Sequence, residues 1–102
     1  MVKYFITRNS ALEVIDKAEP NCWINMINPN EGELLEVEKA YNIDPEDLRA
    51  ALDEEEAARI TYEDNYTCIV VDIPTIEKKN DKNRFITIPM GIIICKDVLI
   101  TV

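Results

Sequence analysis

The densest group of side chains that could do chemistry in this sequence is the acidic run Asp53-Glu54-Glu55-Glu56. Carboxylate oxygens are the ligands that hard cations prefer, and Mg²⁺ often binds through one or two carboxylates with retained waters. The run lies at the predicted end of a helix, where the helix dipole disfavours negative charge, and a bound cation would relieve that cost. The alternative interpretation is a solvated helix end without a specific ligand.

Side chains for catalysis are scarce. The sequence has no histidine, which removes Ser-His-Asp and Cys-His nucleophilic sites. Its one serine is Ser10, and its two glycines, Gly32 and Gly91, are too few for a phosphate-binding loop. No pattern places two carboxylates in one cleft as an acid–base pair. We therefore predict that this chain is not an enzyme.

Charge and cysteine content limit the partners and the compartment. The chain has 11 basic and 20 acidic residues and a net charge of −9, so its field repels nucleic acid and anionic headgroups. Cys22, Cys68 and Cys95 each lie in an apolar run without a C-x-x-C motif. This pattern indicates cysteines used as small hydrophobic residues in a reducing compartment. A length of 102 residues fits one domain, residues 1–102.

Two adjacent helices must position the acidic run. Asn30 is the predicted N-cap of the first, with a glutamate three residues later completing a capping box, and Asn42 is its predicted left-handed end. Asp44 is the predicted N-cap of the second, because Pro45 follows at the first helical position. We expect this helix to end near residues 54–57.

The remaining elements are predicted strands, mostly in hairpins. A polar hairpin loop is expected at residues 77–83, a bulge at Pro89-Met90-Gly91, and a sheet edge or bulge at Pro74. The pattern predicts an α+β fold: a mixed, mainly antiparallel sheet of about six strands with two adjacent helices packed on one face. The β-rich stretches are residues 2–7, 12–14, 22–27, 58–62, 66–76, 85–95 and 98–102.

An ordered set of stretches carries a family resemblance over roughly residues 22–102. The stretches are CWINMINP, then Ile43-Asp44-Pro45-x-x-Leu48 with Leu52, then Arg59-Ile60-x-Tyr62-Glu63-Asp64-Asn65-Tyr66 running into CIVVDIPT, and the closing IPMGIIICKDVLITV. Together they resemble the N-terminal cytoplasmic domain of the CorA family of divalent-cation (Mg²⁺/Co²⁺) transporters. The soluble domain of that family is of the α/β/α type.

The resemblance implies a fragment of a longer protein. Family members are about three times this length, continue into long helices and end in two membrane spans, so Val102 is expected to be an internal cut. They assemble as pentamers integral to the cell membrane, with this domain at its cytoplasmic face and soluble as a fragment. The fragment would then serve assembly and gating, with Mg²⁺ or Co²⁺ as transported or regulatory ion and no tightly bound cofactor. The alternative is a stand-alone small acidic α+β protein-interaction module.

The resemblance also implies a metal site, from which this sequence departs. Members with a clear regulatory site have an acidic pair in the second helix, directly after the position of Leu48. Arg49 and Ala50 stand there in this chain, and Arg49 would repel a cation. Asp47, Asp53 and Glu54 are the candidate substitute ligands.

Overall fold

The computed structural model describes residues 1–102 as one seven-stranded sheet with two α-helices and a short 3-10 helix. The helices are α1 (Glu31–Tyr41) and α2 (Pro45–Arg49), and the 3-10 helix is Ala50–Leu52. The strands are β1 (Val2–Arg8), β2 (Ala11–Ile15), β3 (Cys22–Met26), β4 (Arg59–Tyr62), β5 (Tyr66–Lys79), β6 (Lys82–Cys95) and β7 (Val98–Thr101).

The sheet has the strand order β2-β1-β3-β7-β6-β5-β4. Every neighbouring pair is antiparallel except β3 and β7, which run parallel. The predicted α+β class and mixed, mainly antiparallel sheet are therefore confirmed, with seven strands instead of about six.

Both helix starts are confirmed. The Asn30 side chain accepts from the backbone N–H of Glu33, whose own side chain accepts from the Asn30 N–H, so the capping box is complete. Asn42 ends α1 in the left-handed region with φ of 52°. The Asp44 side chain caps α2, with Pro45 in the first turn.

The second helix is shorter than predicted. We expected it to reach residues 54–57, but the 3-10 helix that continues it ends at Leu52, and Asp53 is extended. Successive carboxylates repel each other and are disfavoured at a helix C-terminus, so the acidic run Asp53-Glu54-Glu55-Glu56 lies in the connection to β4.

The predicted polar loop at residues 77–83 is also wrong. Strands β5 and β6 continue into it and leave only the two-residue turn Asn80-Asp81, with φ of 54° and 60°. Asn9-Ser10 joins β1 to β2 in the same way. Two consecutive positive φ values match the right-handed twist of the flanking strands, and Asn and Asp tolerate this conformation better than most residues.

The predicted bulge at Pro89-Met90-Gly91 does not form. The register of β5 with β6 is continuous, and Pro89 lies opposite Asp72. Pro89 needs no bulge because its N atom points away from β5, like the N–H of Gly91 two residues later, which donates to the Val102 carbonyl, so Pro89 removes no bond from the ladder with β5. Pro74 likewise lies beyond the last pairing of β4 with β5, and its predicted edge position is confirmed.

The core lies between one face of the sheet and the helices. Ile24, Ile93 and Ile100 from the sheet are almost completely buried, and so is Leu48 from α2. Burying a side chain of this size stabilises a protein by roughly 1.5–3 kcal/mol. Cys68 belongs to the same core.

The opposite face of the sheet is not covered. Phe5 and Trp23 stack there with ring centroids 4.8 Å apart, and the Trp23 indole N–H donates to Thr101 Oγ1 at 2.9 Å. Large apolar side chains on neighbouring strands remain accessible on this face. We call this surface the open face, and its main members are Phe5, Val14, Trp23, Ile60, Ile94 and Leu99.

None of the helices combines the length and the apolar composition that a membrane crossing requires.

Gly91 sets how closely the 3-10 helix approaches the sheet. A Cβ at this position would lie 3.3 Å from Ala51 Cβ and 3.7 Å from Val102 Cβ. We expect Gly91→Val to lower the free energy of unfolding by about 1–3 kcal/mol, because overpacking displaces the 3-10 helix. Chemical denaturation measures this change.

Gly32→Val is the matched control for that measurement. Its Cβ would meet only Asn30 Oδ1, at an ordinary 3.4 Å, on the exposed first turn of α1. This variant should change the free energy of unfolding by less than about 1 kcal/mol. Equal losses in both variants would contradict the predicted role of Gly91.

Candidate functional site

A cleft of about 610 Å³ opens beside α2 and the 3-10 helix and extends to the start of β4. Six carboxylates and two guanidinium groups line it, so its net charge is negative. We call it the acidic cleft. Its lining residues are Asp44, Glu46, Asp47, Arg49, Ala50, Asp53, Glu56, Arg59, Thr61 and Glu63.

Asp47 is the buried carboxylate of the acidic cleft, with 7% of its surface exposed. Its Oδ2 accepts a hydrogen bond from the Tyr66 hydroxyl at 2.6 Å, and its Oδ1 accepts one from Arg59 Nη1 at 3.3 Å. The Tyr66 hydroxyl in turn accepts from the backbone N–H of Asp44 at 3.1 Å. A satisfied polar network of this kind holds the start of α2 against β5 and β4.

Two of the groups that contact Asp47, the Tyr66 phenol and the Cys68 thiol, are held in their neutral forms. Burial raises the pKa of Tyr66, and the hydrogen bond to the Asp47 carboxylate raises it further. Burial also raises the pKa of the Cys68 thiol, which donates to the Asp47 backbone carbonyl at 3.7 Å. A protonated phenol and a protonated thiol are hydrogen-bond donors and poor nucleophiles, so these groups hold structure in place.

Arg59 connects the acidic run to the buried carboxylate. Its Nε donates to Glu56 Oε1 at 3.0 Å, and its Nη1 donates to Asp47 and to Thr61 Oγ1. The hydrogen bond with Glu56 is the largest cause that raises the pKa of the Arg59 guanidinium. The positive charge of Arg59 therefore offsets the negative charges of Asp47 and Glu56 in the acidic cleft.

Arg49 holds the two helices together. Its Nε donates to Glu38 Oε1 and its Nη1 to Glu31 Oε2, both at 2.8 Å. The hydrogen bond from Arg49 lowers the pKa of Glu31. Glu31 and Glu38 are seven residues apart and share one face of α1. Arg49, at a position where the resemblance implies an acidic residue, is thus an ion-pair partner of two glutamates of α1.

The three candidate metal ligands lie in different surroundings. Asp47 and Asp53 both line the acidic cleft, whereas Glu54 does not. The Asp47 carboxylate already accepts from Tyr66 and Arg59, and Asp53 Oδ1 accepts from the backbone N–H of Glu55 at 3.0 Å. No three Asp, Glu or Cys side chains are close enough together to hold a metal ion. That a metal ion binds to Asp47, Asp53 and Glu54 therefore stays a prediction.

Sequence reasoning missed the roles of Tyr66, Arg59 and Glu38. Tyr66 is 19 residues from Asp47, and Arg49 is 11 residues from Glu38. No local pattern connects residues at such separations. The only available signals were one buried-strand tyrosine and a repeat of glutamates at helical spacing.

Removal of the Tyr66 hydroxyl should destabilise the protein. In Tyr66→Phe the buried Asp47 carboxylate loses its shortest hydrogen bond, and we expect a loss of about 1–3 kcal/mol in the free energy of unfolding at pH 7. The raised pKa adds a pH dependence. Because the folded-state pKa exceeds the unfolded value of about 10, the contribution of Tyr66 is complete below pH 10 and disappears as the pH rises above it.

Chemical denaturation between pH 7 and pH 11 tests both effects. The difference between wild type and Tyr66→Phe should shrink above pH 10. Tyr62→Phe, at an exposed tyrosine, is the matched control and should change stability by less than about 0.5 kcal/mol. A Tyr66→Phe loss no larger than that of the control would refute the bridging role.

Comparison with known proteins bears on this fold and cleft. The family model described as CorA-like Mg²⁺ transporter protein matches residues 19–102. No curated protein sequence matches the chain.

Two solved structures from Methanocaldococcus jannaschii share the fold. The complete CorA magnesium transporter superposes with a TM-score of 0.73 at 22% identity, covering 99% of this chain and 31% of that one. The soluble domain of CorA superposes with a TM-score of 0.76 at 23% identity, covering 99% of this chain and 39% of that one.

This chain therefore spans between about a third and two fifths of the structures that it matches. The family model covers most of its residues, including both helices, the acidic cleft and the strands from β3 onward. The family model shows the family, and the two superpositions show that the fold is shared. The chain belongs to the CorA-like Mg²⁺ transporter family, a family of transporters and not of enzymes.

Proposed function

We propose that residues 1–102 are the N-terminal cytoplasmic domain of a longer transporter that carries a divalent cation, Mg²⁺ or Co²⁺, across the cell membrane. The observation that carries the proposal is the family match over residues 19–102. In this proposal the domain contributes assembly and gating, and the pore lies in another part of the polypeptide. The structures that match this chain at about a third of their length support a longer protein.

The open face supports the same proposal. A sheet normally buries its apolar surface against another layer, and a contiguous exposed apolar surface commonly marks an interface. Phe5, Trp23 and Leu99 lie side by side on adjacent strands of this face. We propose that helices from the later part of the polypeptide pack there and complete an α/β/α domain.

Electrostatics suggests how such a domain would control a transporter. In a pentamer, acidic surfaces of neighbouring protomers repel each other, and a bridging divalent cation would remove that repulsion. Loss of the cation would release the protomers and shift the population of conformations. The transported ion would thereby limit its own uptake.

Arg49 and Ala50 change this mechanism in the present chain. Arg49 binds Glu31 and Glu38, so the usual position of the acidic pair holds no ligand. Asp53 and Glu54 are exposed, and either could take part in a bridge, whereas Asp47 would first have to release Tyr66 and Arg59. Any regulatory cation should therefore bind weakly within one chain.

The source gene tests the transporter proposal. The reading frame through Val102 should continue and encode, near its end, two apolar spans of about 20 residues each. Liposomes that contain the full-length protein should then take up Mg²⁺ or Co²⁺, as measured with an indicator dye inside them. A frame that stops shortly after Val102 would instead favour the stand-alone acidic interaction module.

The loss of the family's acidic pair can be tested with Mg²⁺. We expect millimolar MgCl₂ to raise the melting temperature of the chain no more than NaCl at the same ionic strength, because no assembled ligand set prefers the divalent ion. Differential scanning calorimetry gives both values.

Asp53→Asn and Glu54→Gln are the informative variants for that experiment. A rise specific to Mg²⁺ in wild type that either variant abolishes would show that the substitute carboxylates bind the ion. It would also refute the expectation of an ordinary ionic-strength effect.

A further inference from the structure

The hairpin of β5 and β6 extends beyond the rest of the sheet. β4 pairs with β5 only as far as Val70, and on the other side the backbone bonds to β6 reach Gly91, which bonds with Val102. The segments 71–79 and 82–90, joined by the turn Asn80-Asp81, therefore form a two-stranded ribbon, which we call the arm. Such ribbons are marginally stable alone and gain stability from a surface that covers them.

Prolines close the edges of the arm near its base. Pro74 pairs with Thr87 and Pro89 pairs with Asp72, two positions apart along the ladder. Antiparallel pairs alternate in type, so both prolines occupy the type in which the N–H would point outward. Neither edge can then donate to an added strand at these positions.

One face of the arm carries an exposed apolar pair. Ile76 lies directly opposite Phe85, and their exposed fractions are 58% and 78%. Large aromatic and aliphatic side chains on a protruding element are typical anchors of protein interfaces.

The end of the arm has the opposite charge to the rest of the molecule. Residues 77–84 contain four of the chain's 11 basic residues and two acidic ones. Their net charge of +2 within a chain of −9 leaves −11 on the remaining residues. Arg84 pairs with Glu77 at 3.6 Å, whereas Lys78, Lys79 and Lys82 form no ion pair within the chain.

A complementary surface exists on the same chain. Asp53, Glu54 and Glu55 are exposed, and none of them forms an ion pair, whereas Glu56 is held by Arg59. These three carboxylates adjoin the acidic cleft. They follow the 3-10 helix in the chain, whereas the lysines of the arm flank the turn between β5 and β6.

We propose that the arm of one chain docks on the acidic surface formed by Asp53, Glu54 and Glu55 of a second copy of the chain. Lys78 lies on the same face of the arm as the Ile76–Phe85 pair, and Lys79 and Lys82 lie on the other face, so the positive end of the arm meets the carboxylates from both faces. The inference deepens the assembly role and rests on the proposed function in that respect. A contact between two different surfaces of identical chains is head-to-tail, and such contacts form a ring when the rotation closes and a filament when it does not. Nucleic acid or an anionic membrane would meet the repulsion of the −11 charge on the remaining residues.

Sedimentation equilibrium of the chain measures the contact. Every variant also carries Ile94→Lys, which places a charge on the open face and suppresses apolar association there. The arm variant K78E/K79E/K82E should weaken self-association at least about tenfold, because three attractions become repulsions. High salt should weaken the parent in the same direction.

The control variant K3E/K17E/K96E makes the same change in net charge at exposed lysines outside the arm. It should leave the association constant within about threefold of the parent. Far-UV circular dichroism of each variant verifies that the sheet is retained. An arm variant that associates as strongly as this control would overturn the proposal.

A charge swap identifies the partner surface. The acid-reversed chain D53K/E54K/E55K should not associate alone, because its acidic surface and its arm would both be positive. A mixture of arm-reversed and acid-reversed chains should restore association, and failure to restore it would overturn the assignment. Binding to phosphatidylserine vesicles that is lost in the arm variant, with self-association unchanged, would also overturn it.

The two proposals fail separately. A reading frame that ends near Val102 would remove the transporter function and leave the sedimentation result valid. Full-length protein that transports the ion with no effect of the arm variant on self-association would remove only the arm contact.

Discussion

The parallel pairing of β3 with β7 is the constraint on which the rest of the structure depends. It joins the N-terminal hairpin and β3 to the C-terminal strands in one sheet, from Cys22 opposite Val98 to Asn25 opposite Thr101. Two parallel neighbours cannot be joined by a tight turn, so the chain between them must leave the sheet and return. Both helices lie in that connection. They cover one face of the sheet and leave the other face apolar and open.

Polar bridges then fix the helices on the covered face. Arg49 ties α2 to α1, and Asp47 ties α2 to the strands through Tyr66 and Arg59. Breaking a buried pair of this kind is costly because it leaves a charge without its partner. The acidic cleft therefore combines an inner wall that serves the fold with an outer rim of carboxylates that is available to other molecules.

The exposed residues form three surfaces that differ in polarity and in charge. The open face is apolar and lacks a covering layer, the exposed carboxylates Asp53, Glu54 and Glu55 are negative, and the end of the arm, residues 77–84, has a net charge of +2. Salt screens and weakens contacts between exposed charges, whereas burial of apolar surface does not depend on charge. In an assembly of such chains, salt would weaken the contact between the arm and the acidic carboxylates more than the contact made by the open face.

The sequence by itself determined the local structure and the family. The helix caps at Asn30 and Asp44 depend on neighbouring residues, and so does the alternation of side chains along the strands. Both could therefore be predicted from the sequence. The acidic run that ends the second helix early, and the two-residue turn Asn80-Asp81, were misread because loops and ribbons share a polar composition. Only the tertiary structure decided the order of the strands, the partners of Asp47 and Arg49, and the projection of the arm beyond the sheet. The physical reason is that those contacts join residues far apart in the chain. Which of them form depends on the free energy of the complete packed structure and not on any local stretch of sequence.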